Sequence, residues 1–176
     1  MIANLLLLLT AAIWGFGFVA QVLGMNYLEP FAFIGARFIL GALSLLPVIW
    51  YLQRQETAAG PGIGYLVYAS CVLGTILFAA SSFQQVGLLY TTASNAGFIT
   101  GMYMVFVPIF GLMLGMATGL VTWLGCIVAA IGLFMLGVND QYRMGYGDLL
   151  QLAGAGIWAL HIFAIDHFTK HAPGVQ

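Results

Sequence analysis

The sequence predicts an all-α integral membrane protein of six transmembrane helices: one five-helix repeat, followed by the first helix of an inverted second repeat. Three observations predict it. Charge is scarce, with 5% of residues charged against 62% hydrophobic and a mean hydropathy of +1.05, whereas a soluble domain carries about 25% charged residues. From Thr57 to Asn139 there is no Asp, Glu, Lys or Arg, which leaves room for about three crossings at roughly 20 residues each. Finally, a shift of 144 residues lays Asn4–Ala20 on Asp148–Ala164 with 7 of 17 positions identical, Ile13-Trp14 over Ile157-Trp158 among them.

Taken in order, the first span runs from Asn4 to Leu23. No Lys or Arg precedes it and it outlasts a signal peptide, so it reads as a retained span. The loop MNYLEP follows, with Glu29 in water and Pro30 suited to the first turn of a helix. Span 2 covers about Phe31–Leu52 and ends at QRQE, and TAAGPG links it to span 3, about Ile63–Gln85. A turn over Gly87–Thr92 precedes span 4, Ala93–Met116, and the tripeptide ATG leads into span 5, Leu120–Val138. The polar stretch NDQYRMGYG, residues 139–147, separates residues 1–138 from a second unit, residues 148–176, whose span 6 is Asp148–Phe168. The two tryptophan helices are the first and sixth spans, five apart in order. An odd number sends the second copy into the membrane from the opposite side, the arrangement from which many secondary transporters are built.

Composition also excludes functions. A net charge of −1 points to no nucleic acid partner. Cys71 and Cys126 both fall in apolar segments and read as small buried hydrophobes, with no disulfide framework or metal spacing. No phosphate loop, HExxH or Ser–His–Asp pattern is present, so no enzyme activity, metal or cofactor is expected. Glu29, Glu56, Asp140, Asp148 and Asp166 lie near span ends and read as solvated. Arg37 lies about two turns inside span 2, from where it can snorkel to the interface.

The Trp of AAIWGFGF, the GARF opening span 2, LYTTASNAGFITGMYMVFVPIFG in span 4 and the restart at GIWALHIF together resemble the EamA family of the drug/metabolite transporter superfamily. The resemblance implies ten helices in two inverted repeats, both termini cytoplasmic, and a central cavity opened alternately to either side. It also implies the plasma (inner) membrane as location. Basic residues alone decide no orientation, since Arg54 and Lys170 would balance Arg143 and Arg37, so an inside amino terminus is taken from the resemblance. Relative to the family pattern the chain stops after helix 6. It therefore reads as a truncated product, a fragment, or half of an assembly whose partner is a second copy or the missing helices.

The candidate site residues come from helix faces. On span 3, Tyr68, Cys71, Thr75, Phe78, Ser82 and Gln85 form one stripe at three- and four-residue spacings. The stripe either lines a cavity or faces another helix with its hydroxyls bonded to their own helix. On span 4, Asn95, Thr100 and Tyr103 fall within an arc of ~140°. The rows Ala93–Gly97–Gly101 and Gly111–Gly115–Gly119 suit close helix packing. Pro108 frees a carbonyl one turn earlier and is the candidate hinge.

Trp14 and Gln21 share a face of span 1, and Gln151, Trp158 and His161 share the equivalent face of span 6. His161 is either a titrating, proton-coupling group or a neutral imidazole bonded to a neighbouring helix. Trp14, Gln21, Thr75, Ser82, Asn95, Thr100, Tyr103, Trp158 and His161 are thus the candidate substrate contacts. The function expected is a transporter, an exporter by resemblance, of small neutral or zwitterionic metabolites, amino acids or drug-like compounds, because an unpaired ion would face a large desolvation cost there. The alternative is a non-transporting membrane subunit or scaffold.

Overall fold

The computed structural model describes residues 2–53, 62–137 and 144–170. Most of the TAAGPG linker, residues 139–143 of the boundary loop, and Arg54, Glu56, Asp140 and Arg143 lie outside the described residues. Among the described residues seven helices follow in order: α1 (Ile2–Gly24), α2 (Pro30–Gln53), α3 (Ile63–Gly87), α4 (Ala93–Gly101), α5 (Tyr103–Met113), α6 (Leu120–Gly137) and α7 (Tyr146–Thr169). Five stretches of the described residues are long and apolar enough to cross a membrane, with α4 and α5 together forming the stretch Ala93–Met113.

Span 4 is therefore two helices where the sequence predicts one. The break falls at Met102, where the bonding tightens to a shorter period: Met102 N–H reaches Ile99 O at 3.0 Å and Val105 N–H reaches Met102 O at 2.8 Å. The far end also stops earlier than expected, at Met113. There Gly115 takes φ +76°, Met116 N–H returns to Gly111 O at 2.8 Å and Gly115 N–H to Leu112 O at 3.0 Å. This is a Schellman closure, and it needs a residue without a Cβ at Gly115.

The core is built on α7. It runs antiparallel to α3 along nearly its full length: Tyr65 Oη donates to Phe168 O at 3.0 Å at one end, and Gly87 meets Gly147 at the other. Small residues make this approach feasible. A Cβ at Gly147 would sit 2.7 Å from Gly87 O, and one at Gly154 would sit 3.3 Å from the Phe83 Cβ. Ala80, Ala155 and Ala159 are fully buried. Lipid tails are as apolar as leucine, so helices associate in a membrane by such close packing and by polar bonds. The packing glycines thus differ from the rows expected from sequence. Gly97 does face Phe18 and Gly111 faces Phe163, but a Cβ at Gly101, Gly115 or Gly119 would meet nothing within 4 Å.

The other helices gather round this pair. α4 and α5 pack on α7, α6 lies against α4 and α5, and α2 leans on α3. α1 rests chiefly on α4, and its buried residues are Phe18 and Gln21. A small apolar cluster ties it down, formed by Phe18, Leu88 and Ala96 with Val22, Met25 and Ala93. The outward faces of α1 and α2 carry exposed Leu5, Leu8, Ile39 and Leu43, as expected of helices whose solvent is hydrocarbon.

Candidate functional site

Four helices bring uncharged polar side chains together. Gln21 on α1 bonds its own helix through Nε2 to Gly17 O at 3.1 Å, and its Oε1 accepts from Gln84 Nε2 of α3 at 3.4 Å. The Gln84 Oε1 accepts the indole N–H of Trp158 on α7 at 3.2 Å. Two turns earlier on α7, Gln151 Nε2 donates to the backbone carbonyl of Gln84 at 2.7 Å, and its Oε1 accepts from Thr100 Oγ1 of α4 at 3.3 Å. Gln21, Gln84, Gln151 and Thr100 are 5%, 6%, 0% and 2% exposed. Buried amides are costly unless paired, and these four pair mainly with one another.

Trp14 on α1 stands over Trp158 with ring centroids 5.9 Å apart and planes tilted by 60°, and the edge of His161 meets Trp158 at 5.8 Å. Trp14 lies beside Trp158, whereas Phe18, Val22 and Met25 further along the chain gather at Leu88, by the end of α3 that meets the start of α7 at Gly147. Moving forward along α1 therefore means moving backward along α7, and the two repeat-related helices are antiparallel. His161 is buried and faces the backbone of Leu73 on α3.

The remaining candidates are placed elsewhere. Thr75 is exposed and donates to its own helix at Cys71 O, 2.7 Å. Ser82 donates to Phe78 O at 2.7 Å and borders a shallow apolar groove with Phe83, Val86 and Leu150. Tyr68, Cys71 and Phe78 of the same stripe are exposed too, so most of that stripe lies on the outside of α3. Asn95 is half-buried in the first turn of α4, where its backbone N–H bonds the Thr92 cap at 3.2 Å. Tyr103 is half-buried just past the break at Met102. Pro108 is buried, and the Met104 carbonyl one turn before it accepts from the Cys126 thiol of α6 at 3.9 Å.

Asp148 corrects an expectation. It is 7% exposed rather than solvated, takes the Gly145 N–H at 3.0 Å as a helix cap, and accepts the hydroxyl of Thr91 in the α3–α4 turn. A carboxylate at a helix N-terminus is favoured by the exposed N–H groups, so its burial has a local cause. Arg37 is half-buried, with its guanidinium 5.4 Å from the ring of Phe38.

Gln84 and Ser81 are not among the residues the sequence singles out, and Gln85, a member of the span 3 stripe, is buried where most of that stripe is exposed. The pair Gln84-Gln85 reads as a polar helix end, yet the helix continues to Gly87 and α7 covers it. The available signal was Gln151, which shares the face of Trp158 and needs a polar partner across the interface.

These features define a multi-pass helical membrane protein with an uncharged polar site where two antiparallel tryptophan helices cross. Residues 1–138 match the EamA-like transporter family, and the chain belongs to that family. Two similar proteins of Archaeoglobus fulgidus, each described as an uncharacterized transporter, are 32% identical over 180 residues and 30% identical over 183 residues. Each alignment covers 96% of this chain, but only 50% and 61% of those relatives' lengths. No solved structure matches the chain.

Proposed function

We propose that the protein forms part of a secondary transporter of the plasma membrane that exports small neutral or zwitterionic molecules, amino acids among them, by alternating access between inverted repeats. The observation that carries this reading is the pairing of Trp14 with Trp158 above the Gln21–Gln84–Gln151–Thr100 network. Aromatic faces and neutral amides can hold a polar molecule without burying a net charge. Antiparallel helices from equivalent positions supply a site that either membrane face can reach. The relatives run well beyond this chain, so the working unit is proposed to include further helices or a second copy.

The test is flux in vesicles reconstituted with the chain. Labelled L-phenylalanine and L-threonine should leave loaded vesicles faster than from protein-free ones, with saturation, and Trp158→Ala should slow the exit about tenfold or more. Absence of flux, both from the chain alone and with the relatives' additional helices supplied, would favour the non-transporting subunit and end the transport reading.

A further inference from the structure

Gln85 is fully buried, at 0% exposure, and neither its amide nitrogen nor its carbonyl oxygen has a partner among the described residues. One turn earlier Ser81 is 1% exposed, and its hydroxyl too is unpartnered. The contrast with Gln84 is direct, since Gln84 uses its Nε2, its Oε1 and its backbone carbonyl. Buried polar groups are nearly always paired, and an unmet one in an apolar interior is kept only where something else compensates.

At ~100° per residue, Ser81 falls between Leu88 and Gln85 around the helix. Leu88 packs against Phe18 of α1 and Ala96 of α4. The unmet pair thus lies next to the side of α3 on which Leu88 meets α1 and α4, with α2 also leaning on α3. α1 buries only Phe18 and Gln21, so of α1 and α4 it is the neighbour whose displacement gives up the fewer buried groups. The groups waiting there are an amide and a hydroxyl, each both donor and acceptor, and neither is charged.

We propose that Ser81 and Gln85 recognise the transported molecule, and that they take an uncharged group presenting an acceptor and a donor side by side, as a primary carboxamide does. The inference rests on the transport reading and assigns its specificity. The satisfied network of Gln21, Gln84, Gln151 and Trp158 then serves as the frame that positions this pair.

Thermal unfolding of the purified chain in detergent tests it, with acetamide as the probe. Acetamide should raise the midpoint in a saturable way, and acetate at the same concentration should not. Gln85→Leu should raise the midpoint of the ligand-free protein by a few degrees, because it removes an unmet amide, and it should abolish the acetamide response. Ser81→Ala should weaken that response several-fold. An unmoved wild-type midpoint, a Gln85→Leu chain that still responds, or a Gln85→Leu chain less stable than wild type each overturns the assignment. The readout needs no flux. A chain that binds acetamide through Gln85 but moves nothing keeps this site and loses the transport reading, and one that transports without an acetamide response does the reverse.

Discussion

The amide oxygen of Gln84 accepts the indole N–H of Trp158 at 3.2 Å while its amide nitrogen reaches Gln21. One side chain on α3 therefore bridges the two tryptophan helices. Replacing it strands a donor on α7 and an acceptor on α1 at once, whereas Trp158→Phe strands only the Gln84 oxygen.

Gln84→Leu is accordingly expected to destabilise the fold by about 1–3 kcal/mol, and Trp158→Phe by about 1 kcal/mol, within the range seen for interhelical bonds in membranes. Combining them should cost less than the sum, since the second change removes a partner already lost. Thermal unfolding in detergent reads all three. Strict additivity would mean that the bond does not contribute.

The α3–α7 contact offers a sharper contrast. A Cβ at Gly147 would lie 2.7 Å from both Gly87 O and the Tyr90 carbonyl carbon, which are backbone atoms that cannot rotate away. Gly147→Ala should push the helices apart and cost about 1–3 kcal/mol. At Gly101 a Cβ meets nothing within 4 Å. There Gly101→Ala should be neutral or stabilise by up to about 1 kcal/mol through the stiffer unfolded chain. Equal effects at the two glycines would show that the close approach at Gly147 is not what holds the pair.

These glycines also show what a sequence can and cannot reveal. Membrane class, span positions to within a few residues and the kinship of Trp14 with Trp158 are local or periodic properties, so hydropathy and the 144-residue offset expose them. Which small residues meet is a property of two helices. The rows at Gly97–Gly101 and Gly115–Gly119 look as suitable as Gly87 and Gly147, yet only the latter pair is opposed. Polar stripes mislead for a related reason. Thr75 and Ser82 can bond their own helix carbonyls and so face outward at little cost, whereas Gln84 and Gln151 are long enough to cross an interface. The break at Met102 has no turn residue at its centre to announce it.

The antiparallel course of α1 and α7 predicts a labelling pattern. In a chain lacking Cys71 and Cys126, Asn4→Cys and Tyr146→Cys stand at the two starts of these helices, and both native side chains are exposed. A membrane-impermeant maleimide added to intact cells should modify one and spare the other, with the spared site reacting after permeabilisation. Modification of both from outside would place the two helix starts on one face and remove the inverted relationship on which the proposed alternating access depends.

The last prediction concerns Pro108. Without an N–H, it leaves the Met104 carbonyl of its own helix unbonded by residue 108, and the Cys126 thiol of α6 turns toward that oxygen at 3.9 Å. A thiol is a weak donor, so Cys126→Ala should cost about 0.5–1 kcal/mol. Pro108→Ala restores the missing N–H one turn after Met104 and makes the thiol redundant, so Cys126→Ala in that background should cost almost nothing. The cycle therefore separates a carbonyl-seeking thiol from a cysteine that merely fills space, for which the cost would be the same in both backgrounds. If α5 pivots on Pro108 during transport, Pro108→Ala should also slow flux while leaving the chain at least as stable. A faster or unchanged rate would show that the helix moves as a rigid rod.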